Sequence, residues 1–383
     1  MIWKLNLRHL RAMAAIARLG TISAAARSVS ITQPAITQGV AKLEAQLAIQ
    51  LFERHPDGMR RTAAAELFAP RVERALAHIG SARVTAAQMR ALLAISEAGT
   101  YAGGSDITGL APPSLHRALS DLAIALRAPV VERRGRGISF TETGKRAVRN
   151  FRLARAELDA GLVELESLKG IEVGQISIGA MPLARARLLP AAVAAFHRRF
   201  PEVKISIAEG SFGELIEPLR DGELDMMIGA LRDPSPGADI DQRPLFLDRP
   251  VIVGRHGHPL TNSRPTIRDL AAYSWVVPSA GTPLHILWRV MFDDLGIPLP
   301  HVPIECGSVI TIRQLLISSD FLTLLSPDQV AVELEANWLD IIAEAPAGLA
   351  RNIGVSTRAG WQPTMMQAAF LAELEEVARA QYS

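Results

Sequence analysis

Cysteine occurs once in the 383 residues, at Cys306, so no intramolecular disulfide framework is possible and a reducing compartment is indicated. No run approaches the ~18 consecutive apolar residues that a membrane-spanning helix needs. The opening Met1, Ile2, Trp3, Lys4 has no apolar stretch ending in small residues, so export is not expected and the cytoplasm is. Catalytic signatures are missing as well: no Gly-x-Ser-x-Gly elbow, no phosphate loop, and no G-x-G-x-x-G behind a strand. His256 and His258 have no carboxylate or thiol at ligand spacing and a proline follows them, which argues against a metal. Cys306 has no adjacent base and reads as a buried bystander. Trp275 and Trp288 read as core packing rather than as a sugar platform. The expectation is a non-enzyme with no metal and no cofactor.

What is present is an ordinary globular composition, 49% apolar and 21% charged, long enough for two to three domains at ~150 residues each. The net charge of +2 conceals an asymmetry. Residues 1–90 carry 13 Lys and Arg against 5 Asp and Glu, and residues 171–383 carry 17 against 25. A basic end beside an acidic remainder points to a polyanionic partner at the basic end.

The basic end is also repeated. Shifted by 79 positions, residues 10–62 fall on 89–141 without a gap. Arg11/Arg90, Ala15/Ala94, Gly20/Gly99, Thr21/Thr100, Pro34/Pro113, Leu43/Leu122, Glu53/Glu132, Gly58/Gly137 and Thr62/Thr141 are among the identical pairs. A register held over some fifty residues marks a duplicated module.

In the first copy, apolar spacing predicts a helix over 6–19 stopped by Gly20, and Thr21 or Ser23 caps a short helix over 24–29. Thr32 then caps a third helix over 33–47, with Pro34 in its first turn. Three helices with a tight second turn form a helix-turn-helix, whose third helix enters the DNA major groove. Gln33, Ala35, Thr37, Gln38 and Lys42 lie on its outward face as base-edge candidates. Residues 51–54 and 60–61 flank the turn 55–58 as a two-stranded wing. Arg27, Arg54, Arg60 and Arg61 are placed for phosphates, supplying affinity rather than sequence choice.

These residues resemble a known family. Leu7-Arg8-His9-Leu10, Gly20-Thr21-Ile22-Ser23-Ala24-Ala25-Ala26, Thr32-Gln33-Pro34-Ala35-Ile36-Thr37, Leu43-Glu44 and Leu51-Phe52-Glu53-Arg54 are similar to the N-terminus of LysR-type transcriptional regulators. The resemblance implies one winged module, then a long dimerising helix, then an effector-binding domain. This chain departs from that pattern by carrying two modules.

The second copy keeps the core stripe Leu115, Leu119, Leu122 and Leu126. Ser114, His116 and Arg117 face outward, and Arg133 and Arg134 sit in a basic wing. Gly103 and Gly104 replace two alanines of the short helix, weakening it by ~2 kcal/mol of helix propensity, and Asp106 replaces Arg27. Three readings stand: a second DNA reader, a spacer or dimerisation element, and a partner-protein surface. Helices over 63–79 and 143–168 correspond to the family's dimerising helix. Leu153, Leu158, Leu162, Leu165 and Leu168 suit a helix–helix seam in the latter, and which helix meets its mate is open.

From residue 174 short strands alternate with helices in two rounds, which predicts βαβ units, a largely parallel sheet and two lobes around a cleft. Ile178-Gly179-Ala180-Met181-Pro182 and Gly257-His258-Pro259-Leu260 resemble the LysR effector-binding domain. The wording around Gly179–Leu183, Trp275–Pro278 and Gly281–Leu284 is similar to a sugar-responsive subgroup, the galactose-binding-protein regulators. By the resemblance, Ala180, Met181, Pro182, Leu183, Ser211, Phe212, Ser279, Thr282, Ser308 and Thr311 line an effector cleft at strand-to-helix junctions, suited to a small polar or anionic ligand such as a sugar or organic acid.

The expected architecture is α/β with an α-rich N-terminal part. It comprises a winged helix-turn-helix at 1–62, a connecting helix at 63–84, a degenerate second module at 85–142, a linker helix at 143–170, and a two-lobed, periplasmic-binding-protein-like domain at 171–383. Its expected partners are double-stranded DNA, a small-molecule effector and further copies of itself as a homodimer or homotetramer, with no membrane. The alternative is a metabolite-binding protein or small-molecule enzyme on the two-lobed fold, with the basic half serving assembly. Salt-dependent DNA retention separates the two.

Overall fold

The computed structural model describes residues 2–134, 137–171 and 174–382. After a 3-10 turn at Ile2–Lys4 come α1 (Leu7–Leu19), α2 (Ile22–Ser28), α3 (Gln33–Leu47), the hairpin β1 (Phe52–His55) and β2 (Gly58–Arg61), and α4 (Ala63–Ile79). The order then recurs as α5 (Ala86–Ala98), α6 (Tyr101–Thr108), α7 (Pro112–Leu126), the hairpin β3 (Val131–Arg134) and β4 (Gly137–Phe140), and α8 (Glu142–Leu168).

The repeat extends to helix ends. Thr21 and Thr100 each accept a backbone N–H three residues on, as do Thr62 and Thr141, and Gly20 and Gly99 close α1 and α5 in left-handed conformation. The non-glycine residues Ala48 and Arg127, also 79 apart, both turn left-handed, at φ 50° and 57°.

The two glycines of the second short helix act differently from expectation. α6 persists over eight residues, and a Cβ on Gly104 would lie 2.9 Å from Ile95. Their lost propensity is exchanged for close approach of α6 to α5.

The two modules share one hydrophobic core running from Ile2 to Leu165. Its spine is the pair α4 and α8, which cross antiparallel. Gly161 of α8 lies on Phe68 early in α4, and Glu157, a turn earlier in α8, pairs with Arg74 late in α4 at 3.0 Å. The two counterparts of the dimerising helix thus pair with one another inside the chain. Of the leucine seam expected on α8, Leu158 and Leu165 are buried in the shared core and Leu162 packs against it, whereas Leu153 packs against Gly222 and Leu168 is exposed.

The C-terminal half runs β5 (Gln175–Ala180), α9 (Leu188–Arg199), β6 (Lys204–Glu209), α10 (Phe212–Arg220), β7 (Met226–Ala230), β8 (Ile240–Asp248) and β9 (Val251–Arg255). It continues with α11 (Ile267–Ala271), β10 (Val276–Val277), α12 (Pro283–Asp293), β11 (Ile304–Glu305), α13 (Val309–Ile317), β12 (Thr323–Leu325), α14 (Ala331–Glu335), β13 (Leu339–Glu344), β14 (Arg351–Arg358) and α15 (Met365–Tyr382). One lobe holds a sheet ordered β6-β5-β7-β14-β8 and the other a sheet ordered β12-β9-β13 plus the pair β10-β11. The largely parallel expectation fails on half of this. β5 pairs parallel with β6 and β7, but β14 returns from the second lobe to lie antiparallel between β7 and β8, and β9 pairs antiparallel on both sides.

The chain crosses between lobes after β8 and before β14, and Asp248 and Arg351, one at each crossing, form a buried ion pair of 2.8 Å. α8 docks on the first lobe through Arg149 and Arg152, both bonded to Asp221. Trp275 and Trp288 are buried against Phe292. Among the described residues no helix is long and apolar enough to cross a membrane.

Candidate functional sites

An open groove of 1410 Å³ lies between α2, the first half of α3 and the β1–β2 wing. The Thr32 side chain accepts the Ala35 N–H and fixes the start of α3 there. Gln33, Ala35, Thr37, Gln38 and Arg54 all line the groove. Thr37 Oγ1 donates to Gln33 O at 3.1 Å, so its free lone pairs face outward as acceptors. Lys42 is exposed further along α3, while Arg27 and Arg60 are exposed on the flanks. Arg61 pairs with Glu66 at 3.0 Å, which offsets its charge.

Glu44, which the sequence marked only as part of the family-like run and without a role, is a positioning residue. Its carboxylate accepts the Leu51 and Phe52 N–H groups at 2.8 and 3.2 Å and ties the wing to α3. Met59 N donates to Gly20 O at 2.7 Å and ties the wing to the turn before α2.

On the second module Ser114, His116 and Arg117 are likewise exposed at the start of α7, with the His116 ring 5.6 Å from that of Tyr101. Ala123 stands where Glu44 does in the first module, and Asp121 where Lys42 does. The side chains of Arg133 and Arg134 lie outside the described residues.

A second cavity, of 840 Å³, lies between the lobes of the C-terminal half. Met181, Pro182, Leu183, Ser211, Phe212, Ser279 and Thr282 line it. Ala180 is buried in β5 instead. Ser308 caps α13, accepting the Thr311 N–H at 3.4 Å and its hydroxyl at 3.1 Å, and borders an adjacent hollow. Thr282 and Ser211 cap α12 and α10, so hydroxyls at these junctions serve the helices and face the cleft together.

Three arginines escaped the sequence reading: Arg185, Arg232 and Arg351 all line the cavity. Arg185 pairs with Glu209 and Arg351 with Asp248. Arg232 pairs with no carboxylate among the described residues. Its guanidinium lies 4.4 Å over the Phe212 ring, and burial together with nearby Arg351 holds it below the usual guanidinium range. Cys306 also lines the cavity, half-buried, rather than lying in the core as expected. His256 Nδ1 lies 3.1 Å from Asp340, whereas His258 is buried with Nε2 on Asp320 O at 3.2 Å and Nδ1 accepting the Leu260 N–H.

A winged helix-turn-helix joined to a two-lobed ligand cleft defines a DNA-binding regulator that senses a small molecule. Comparison with known proteins agrees: the bacterial regulatory helix-turn-helix protein, lysR family, matches residues 7–66 and 86–145, and the LysR substrate binding domain matches residues 169–379. The chain belongs to the LysR family of transcriptional regulators. The HTH-type transcriptional regulator GalR of Pseudomonas putida is 31% identical over 97% of both chains. In fold it resembles ArgP from Mycobacterium tuberculosis (TM-score 0.61, 14% identity, 77% of this chain and 97% of that one). It also resembles full-length LysG from Corynebacterium glutamicum with bound effector Arg (TM-score 0.55, 18% identity, 77% and 98%).

Proposed function

We propose that the first module reads operator DNA in the cytoplasm through Gln33, Ala35, Thr37 and Gln38, with Lys42 at the groove edge and Arg27, Arg54 and Arg60 on phosphates. The observation that carries this is the single concave face on which the start of α3 and Arg54 of the wing meet. Amide side chains there match the donor and acceptor edge of adenine, and the Ala35 methyl matches that of thymine.

The interlobe cavity holds the effector, and Arg232 selects its charge. Of a sugar and an organic acid, this guanidinium, with no carboxylate partner among the described residues, favours the acid. Binding draws Phe212 of the first lobe and Thr282 of the second toward one ligand. Lobe closure then reaches the DNA modules through α8, which is bonded to the first lobe at Asp221. A homodimer or homotetramer assembled through the C-terminal halves provides the two quaternary states.

The test is DNA binding at fixed salt. Gln33→Ala and Thr37→Ala are expected to relax base preference, costing ~1–3 kcal/mol on the preferred site and little on others. Arg54→Ala is expected to weaken all sequences alike and flatten the salt dependence. Operator selectivity untouched by Gln33→Ala and Thr37→Ala together sinks the assignment of α3.

A further inference from the structure

We propose that one chain is a complete two-reader unit, with α7 reading a second, unlike half-site beside the one read by α3. The inference rests on the DNA-reading role of α3 proposed above.

The argument begins with the symmetry of the N-terminal half. Equivalent residues of the two modules are 79 apart, and the antiparallel register set by Phe68 on Gly161 makes Ala75 and Ala154 partners, themselves equivalent and both buried. The segments after the two helices each reach the other module, although at positions that are not equivalent: Lys169, just past α8, donates to Leu47 O at the end of α3 at 3.0 Å, and Ser81, just past α4, donates to Ala125 O near the end of α7 at 3.2 Å. The starts of α1 and α5 face each other across a small hollow lined by residues 5–8 and 82–86, the latter overlapping 84–87, the counterpart of 5–8.

A local twofold therefore relates the modules inside one polypeptide. A twofold preserves height along its axis, so α3 and α7 stand level on opposite flanks and present their first turns in the same direction along that axis. In a symmetric pair of helix-turn-helix modules this arrangement meets two half-sites of one duplex. Here the α4/α8 interface is already closed in cis, and no second copy is needed to make the pair.

The two flanks do not carry the same chemistry. Where α3 shows Ala35, Thr37 and Gln38, α7 shows Ser114, His116 and Arg117, all exposed. Arginine is the bidentate partner of guanine O6 and N7, and glutamine that of adenine. Asp106 and Asp121 replace Arg27 and Lys42, so the second module has less phosphate attraction of its own. Its reading depends on being held at high effective concentration by the first module and the shared core.

The experiment is selection of bound duplexes from a random-sequence library by the full chain, repeated with Gln33→Ala and with His116→Ala and Arg117→Ala. All three positions are exposed, so folding is spared. The wild type is expected to return two unlike half-sites, one with a guanine. Arg117→Ala erases the guanine half with a five- to 150-fold loss of affinity for the parent site, and Gln33→Ala erases the other. A palindrome whose two halves both respond to Gln33→Ala and neither to the α7 variants overturns the two-reader chain while leaving α3 as a reader. Variants of both helices acting on both halves overturn it too. No response to Gln33→Ala in either half removes the reading on which it rests.

Discussion

Gly161 lies so close to the Phe68 ring that a Cβ at position 161 would stand 2.7 Å from Cδ2, with the backbones of α8 and α4 correspondingly near. Phe68 is fully buried in the core the modules share, so it has little room to move. Gly161→Leu is expected to force the helices apart and to destabilise the N-terminal half by ~1–3 kcal/mol. The urea midpoint of the helical signal measures this. An unchanged midpoint would show that the crossing is looser than the contact implies.

Arg71 carries the next layer of the same interface. It is 4% exposed, bonded to Glu164 at 2.6 Å and paired with Glu157 at 3.4 Å, and it also donates to Gln362 O at 2.7 Å in the segment before α15. One guanidinium thus joins α4, α8 and the effector-binding half. Arg71→Met leaves the largely buried Glu164 without its cation and Glu157 with Arg74 alone, an expected loss of ~3–5 kcal/mol. Adding Glu164→Gln should recover part of it, because one stranded charge is gone. Equal instability of the single and double variants would mean that charge is not the cause.

Ala48 and Arg127 close α3 and α7 in the left-handed region, at a cost of ~1–2 kcal/mol each for a residue with a Cβ. Glycine removes that strain but loses ~0.5–1 kcal/mol to chain entropy. Ala48→Gly and Arg127→Gly are therefore each expected to stabilise by up to about 1 kcal/mol, read as a rise in thermal midpoint. A fall at either site would show that the side chain there is compensated by contacts.

The N-terminal architecture was legible because its punctuation is local. Thr32 before α3, Gly20 after α1 and the 79-residue register each act within a few residues of where they stand. The pairing of α4 with α8 was not legible, since an apolar stripe declares that it is buried but not against what. β14 was missed for a similar reason: its place between β7 and β8 is fixed by a chain return from the other lobe. At the cleft, hydroxyls at strand-to-helix junctions announced themselves as caps. Arg232 belongs to no motif that the sequence displays, and only its burial over Phe212 marks it. The role of Glu44, as opposed to its place in the family-like run, was hidden because its partners are backbone N–H groups of the wing.

His258 supplies a pH dependence in the second lobe. Burial pushes its pKa down, and its Nδ1 accepts the Leu260 N–H, an interaction that protonation there would abolish. The Asp320 carbonyl and carboxylate work the other way, and Arg255 adds to the depression. The unfolded chain therefore takes up the proton first as pH falls. The stability is present above the unfolded value near 6.5 and is lost as pH drops below it toward the folded value. The urea unfolding free energy is expected to decrease from pH 7.5 to 5.5. His258→Phe, which keeps a ring beside Tyr273, should start lower and fall less. Parallel curves would assign the acid sensitivity elsewhere.

Arg232 offers the sharpest handle on the effector. Its charge sits between Phe212 and Arg351, partly out of water and without a carboxylate partner among the described residues, so an anion entering the cleft relieves an existing cost. A charge-assisted hydrogen bond of this kind contributes ~1.5–3 kcal/mol. Arg232→Gln is thus expected to weaken a bound carboxylate about 10- to 150-fold while leaving DNA affinity without effector unchanged. Titration calorimetry of the wild type and variant against small carboxylic acids, with neutral sugars beside them, measures both halves of the claim. Alkylation of Cys306, the single thiol and part of the same wall, should be slowed by any ligand that fills the cleft. A neutral sugar that binds both proteins equally, with no acid binding either, would show that Arg232 serves the hinge rather than the ligand.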